Sequence, residues 1–260
     1  KENYFSHNHD TSFVNGLKPI IDRLVTDTFE IFGKDETKDL YILAKIILEN
    51  SNDQSKIDTW KLNTQEIIEI SYDMQTGSYI KAMKSEDMAK HKEEYTTEIA
   101  KVILSLCNPI SVLEAGVGEA TTLSGVLKHL GNEVSSYGFD LSWSRVAYAK
   151  DWLHTQGITS TVLCSGDLFN IPFLDNSIDV VYTSHSIEPN GGNEEPILRE
   201  LYRVARKYLI LLEPGYELSS EEAKQRMDSH GYCKNLKGAS HSLGYDVIKH
   251  KLFPFTSNPL

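Results

Sequence analysis

Five polar residues, Glu114, Asp140, Asp167, His185 and Glu213, each stand at or just beyond the end of a short apolar run. The first belongs to Glu114-Ala-Gly-Val-Gly118, an acid followed by two glycines one residue apart. Glycines at such a turn allow positive φ and let a ligand lie against bare main chain. Unpaired N–H groups at the start of the following helix favour a polar or anionic ligand end. Asp140 follows Gly116 by 24 residues, near where a ribose-binding carboxylate belongs in a βαβ unit. His185 is the group best suited by type to take a proton near neutral pH, with Glu188 close behind it. Taken singly, each reads more readily as an ordinary solvated loop residue. Five at five strand ends form a convergent rim.

The elements that position this rim can be read in order. Val112-Leu113 is a short strand before the glycine turn, and Leu123 to Leu130 is the amphipathic helix after it. Ser136–Asp140 is a second strand, and Ser142 caps a helix through Val146, Ala149 and Leu153. Thr161–Cys164, Ile178–Thr183 and Tyr208–Leu212 are further strands, with a helix over Glu194–Ala205 before the last of them. Ser219 with Glu222 offers a capping box, and Tyr245–Phe253 alternates as a final strand. Strands spaced by helices imply right-handed crossovers and a mostly parallel sheet, with ligands bound beyond the carboxyl ends of its strands.

Residues 1–107 read as a helical preface. Apolar periodicity marks helices over Leu17–Phe32 and Leu40–Ile47, and Asn63 with Glu66 offers a cap for a third. Ser71–Ile80 carries Tyr72, Asp73, Gly77 and Tyr79, a turn with two tyrosines or a lid over a ligand. A long helix from Ser85 to Cys107 leads into the first strand and ends at Asn108-Pro109. His7, His9 and Asp10 lack the neighbours that would complete a metal site, and no metal is expected.

The chain has 260 residues, 40% hydrophobic, with a formal net charge of -11. So acidic a protein repels phosphate backbones, so no nucleic acid partner is expected. No apolar run reaches the roughly 20 residues needed to span a bilayer, and the first residues lack the apolar region of a signal peptide. Three widely spaced cysteines suit a reducing cytoplasm.

Over roughly Tyr72 to Phe253 the sequence resembles the class I S-adenosylmethionine-dependent methyltransferases, in the small-molecule branch similar to the ubiquinone-biosynthesis enzymes. Val112-Leu-Glu-Ala-Gly-Val-Gly-Glu-Ala matches the family's acid-x-Gly-x-Gly turn, with Ala120 in place of a third glycine. Gly166-Asp167, Ile178–His185 and Leu198–Arg206 match its later motifs in order. The resemblance implies a Rossmann-like, doubly wound α/β domain over 108–260 with an N-terminal helical extension over 1–107. It also implies S-adenosylmethionine as cofactor and a small-molecule methyl acceptor; a homodimer is compatible with it. Glu114, Gly116 and Gly118 would hold the methionine end, Asp140 the ribose with Leu141 at the adenine, and Asp167 the adenine amino group with Leu168 alongside. Tyr72 and Tyr79 would close as a lid, and Ser184 would lie beside the sulfonium. The family's last antiparallel strand has no counterpart before Leu260.

Methyl transfer is an in-line displacement, so alignment and exclusion of water dominate. His185 is the candidate base, with Glu188, Asn190 and Glu213 as candidates to orient an acceptor. Two other readings stand beside this one: a catalytically silent module of the same fold, and an NAD-dependent oxidoreductase. Thr121 at the third glycine position of Gly-x-Gly-x-x-Gly speaks against the latter. On the bare-main-chain reading, Glu114→Ala or Gly116→Val should abolish cofactor binding and leave the chain folded.

Overall fold

The computed structural model describes residues 68–69, 72–131 and 133–255; the readings for the first two helices, the Asn63 cap and His7, His9 and Asp10 lie outside them. Five strands, β1 (Ser111–Ala115), β2 (Ser135–Asp140), β3 (Val162–Ser165), β4 (Ile178–Ser184) and β5 (Ala205–Leu212), form one parallel sheet in the order β3-β2-β1-β4-β5. Chain order reverses between β1 and β4, and at such a switch point a crevice opens beyond the carboxyl strand ends.

Helices cover both faces. Short α1 (Ser78–Ala82) precedes α2 (Glu86–Leu106); α3 (Thr121–Leu130) and α4 (Trp143–Thr155) follow β1 and β2, and α5 (Glu194–Val204) precedes β5. Strand residues alternate between two cores. Val112, Val180 and Tyr182 pack with Ile99 and Ile103 of α2, Leu123 of α3 and Leu153 of α4. Leu113, Ala115 and Val181 pack with Phe139 and with Ile197, Leu198 and Leu201 of α5. Each such buried aliphatic side chain contributes about 1.5–3 kcal/mol. The two inner helices of the first face touch closely, because Gly125 of α3 meets Thr96 of α2 where a Cβ would lie 2.4 Å from its Oγ1.

The opposite pole of the sheet is pinned by Asp179, whose carboxylate takes the Ile110 amide at 2.9 Å and pairs with Arg206 and Lys207. That pairing explains why β5 begins at Ala205, ahead of the expected Tyr208. Two expectations need correction. Tyr245–Phe253 is not a strand: Ile248 and Leu252 are exposed, and the segment is anchored by rings, Tyr245 stacked on Tyr202 and Phe253 edge-on to Tyr95. Alternation without a face to bury specifies no strand. The cap of α6 (Glu221–Ser229) is Ser220 rather than Ser219; its side chain accepts the Ala223 amide. The short α7 (Leu236–Ser242) completes the elements.

Candidate active site

The glycine turn opens from β1 with φ of 76° at Gly116 and 52° at Gly118, conformations that favour glycine. The amides of Gly116 and Val117 donate to the Phe139 carbonyl, and that of Gly118 donates to Asp140 Oδ2 at 2.8 Å. Asp140 Oδ1 accepts the Ser142 amide at 2.9 Å, while the Ser142 hydroxyl caps α4 by accepting from Arg145. A carboxylate has about four acceptor positions, so Asp140 keeps capacity for hydroxyl donors. Gly116 serves a purpose that its sequence did not disclose. A Cβ there would lie 2.2 Å from Ser186 Cβ, so its open side is taken by the turn after β4.

Glu114 is buried at 2% exposure and accepts the Tyr182 hydroxyl at 3.0 Å. Burial pushes its carboxyl up to about 8, against the pull of the Tyr182 bond and of Lys92. Lys92, itself buried on α2, donates to Thr122 Oγ1, and burial holds its ammonium below the usual lysine range despite Glu114. The site therefore contains an acid that is costly to ionise and that a further cation would ionise.

Tyr72 and Tyr79 do come to this side of the molecule. The Arg145 guanidinium lies 4.4 Å from the Tyr72 ring and 5.1 Å from that of Tyr79, donates to the Tyr72 carbonyl, and reaches Gln75. Glu119 holds the same segment from the glycine turn, its two oxygens receiving the amides of Gly77 and Ile80 at 2.8 Å each. Ser142 adds a bond to Asp73. Glu119 and Arg145 escaped the sequence reading. Their signal, an acid inside the glycine motif and a cation in the first turn of the next helix, has meaning only once the tyrosine segment is known to dock there. Asp167 accepts the Phe169 amide through Oδ1 at 2.9 Å, next to Gly166, whose amide donates to the Asp140 carbonyl; Leu141 and Leu168 are half-buried beside them.

Beyond β4 the second half of the site assembles. Ser184 Oγ lies 2.8 Å from the hydroxyl of Tyr95, a residue of α2 that the sequence did not single out. His185 adopts φ 56°, and its Nδ1 lies 2.9 Å from Glu188 Oε2. Burial would lower its imidazole, but the Glu188 bond and charge outweigh it and hold the ring above the usual value. Glu213 receives the amides of Ser186 and Glu188 at 3.2 and 3.3 Å; desolvation, then the Glu188 charge, push it up to about 7. Asn190 is buried, its side chain donating to the Ile187 carbonyl. Among the described residues no group of three His, Cys, Asp or Glu side chains is placed to hold a metal ion.

Residues 112–208 match a family model described as a methyltransferase domain. Among solved structures, the chain is similar to an S-adenosylmethionine-dependent methyltransferase of Aquifex aeolicus (25% identity over 42% of this chain and 61% of that one, TM-score 0.38). It is also similar to a Bacillus halodurans C-125 protein (19%, 62% and 69%, 0.47). A third likeness is to a geranyl diphosphate methyltransferase solved with its substrate and sinefungin (14%, 56% and 58%, 0.46). The matched part spans 61% of the Aquifex protein and 58% of the geranyl diphosphate enzyme.

Proposed function

We propose that the chain, whose residues 112–208 match a methyltransferase-domain model, is a class I S-adenosylmethionine-dependent enzyme that transfers a methyl group to an oxygen, nitrogen or carbon of a small molecule. The observation that carries this reading is Glu114: a buried carboxyl on the glycine turn, near neutral at pH 7, which a cationic amino end would ionise. The residues present fit the cofactor. Glu114 suits its amino group, Asp140 retains acceptor capacity for ribose hydroxyls, and Asp167 with Leu141 and Leu168 borders the place of the base. When bound there, S-adenosylmethionine supplies a methyl already activated by a positive sulfur.

The protein's contribution is then alignment and a proton acceptor. Tyr72 and Tyr79, drawn in by Arg145 and Glu119, shield the ribose side from water. Ser184, held by Tyr95, marks the end of β4 where methyl and acceptor meet. Glu188 fixes His185 through Nδ1, which leaves Nε2 as the atom that takes the acceptor's proton. Because Glu188 raises the imidazole, the base form builds up only as pH climbs past the usual histidine range, and the rate should rise with it.

Calorimetric titration with S-adenosylmethionine, its demethylated product and NAD tests the cofactor assignment. Binding of the first two is expected, and binding of NAD alone would overturn the reading. Binding of the methyl donor without transfer to any small acceptor would instead favour a silent module. Replacement His185→Gln should lower kcat about 100-fold or more without loss of donor affinity; an unchanged rate removes His185 as base.

A further inference from the structure

His185 sits in a backbone conformation that non-glycine residues rarely adopt, at a cost of about 1 kcal/mol or more, so something must hold it there. Four bonds do. The His185 amide donates to the Leu212 carbonyl at 3.0 Å, the Ser186 hydroxyl donates to the Ala115 carbonyl at 2.7 Å, and Glu213 receives the amides of Ser186 and Glu188. Ser186 is common to both ends of this arrangement: its amide is held from β5, while its side chain fills the space opposite Gly116 on the β1 turn.

We propose that Glu213 is a positioning residue, whose carboxylate fixes the His185–Glu188 turn and, through Ser186, registers that turn against the glycine turn. The inference rests on the reading of His185 as the proton acceptor. A carboxylate is the side chain this role requires. It offers an acceptor to each of two amides one residue apart, whereas an amide of the same shape offers one acceptor and turns an NH2 group toward the other donor. The coupling runs between the two halves of the site. Displacing Glu213 loosens the base, and the base's turn in turn packs on the main chain proposed to carry the methyl donor.

The charged and titratable groups around Glu213 are His185 and Glu188 on the turn, Lys92 and Tyr95 from α2, and Cys233, whose amide and thiol bond the carbonyls of Glu188 and Ile187. Removal of the Glu213 charge therefore has a readout that a purely structural role would not move. In Glu213→Gln the His185 titration, followed by NMR of the imidazole carbon-bound protons, should move to lower pH. The Ser186 and Glu188 amides should also exchange with solvent about 10-fold faster or more. Glu213→Asp keeps the charge but withdraws it by one methylene, so faster exchange with a largely retained titration is expected. It also serves should the Gln variant fail to fold.

An unchanged titration in folded Glu213→Gln, or unchanged exchange in Glu213→Asp, overturns the inference. The base reading fails separately. If His185→Gln keeps its rate while the Glu213 variants shift the titration and exchange as stated, His185 is positioned by Glu213 but is not the proton acceptor.

Discussion

Donor binding should expel a proton, and Glu114 should be its source. Burial pushes this carboxyl up to about 8 in the free protein, so at pH 7 most molecules carry it protonated. A cationic amino group brought against it favours the carboxylate, and full ionisation releases up to about one proton per bound ligand. Calorimetry at pH 7 in buffers of widely different ionisation enthalpy measures this number directly, as the slope of apparent binding enthalpy against buffer enthalpy. Glu114→Gln keeps the shape and the bond from Tyr182 but has no proton to release. Its slope should be near zero and its affinity lower by about 10- to 100-fold. The free protein supplies an independent check by linkage. Because the folded value lies above the ordinary 4.5, the stability from Glu114 is full below that pH and is lost as pH rises through about 8. Thermal midpoints should fall over that range in the natural protein and stay flatter in Glu114→Gln. Equal binding heats in every buffer, or the same proton count in the Gln variant, would refute the argument.

Two predictions concern contacts that glycines permit. Gly116→Ala places a Cβ 2.2 Å from Ser186 Cβ in a left-handed residue, so unfolding free energy in denaturant should drop by about 3 kcal/mol. Adding Ser186→Gly should recover the steric share but forfeits the Ser186 bond to the Ala115 carbonyl, leaving a deficit of about 2 kcal/mol; no recovery would mean the contact does not matter. Gly116→Val, with a bulkier side chain in the same place, should destabilise the fold at least as much as the alanine, against the expectation that it leaves the chain folded. Gly125→Ala sets two effects against each other. Helix propensity favours alanine by about 1 kcal/mol, but the new methyl meets Thr96 at 2.4–2.8 Å, and overpacking of this kind costs about 1–3 kcal/mol. A lower thermal midpoint is expected, and a higher one would show that α2 and α3 separate easily.

The sheet was legible because each strand announces itself locally. A short β-branched or aromatic run stops at an acid or glycine, and strands spaced by helices imply right-handed crossovers and a mostly parallel sheet; the strand order itself came from the structure. The rim followed from the sheet, since parallel strands bring their carboxyl ends, with Glu114, Asp140, Asp167, His185 and Glu213 at or just beyond them, to one edge. What remained hidden depends on pairs remote in sequence. Nothing local says that Ser186 fills the space of a missing Cβ at Gly116, or that Glu119 caps amides some forty positions earlier. Tyr245–Phe253 misled for the converse reason: its local alternation is genuine, but no strand among the described residues gives it a partner.

The docking of the tyrosine segment has a kinetic consequence. Releasing residues 72–80 breaks the two Glu119 bonds, the two Arg145 bonds and the bond from Ser142 to Asp73 together, since all of them bridge the same two surfaces. At about 1 kcal/mol each, the detached state amounts to about one molecule in several thousand. On the proposed function, ligand would pass these tyrosines only from that detached state, so weakening any of the five bonds should speed its entry and exit.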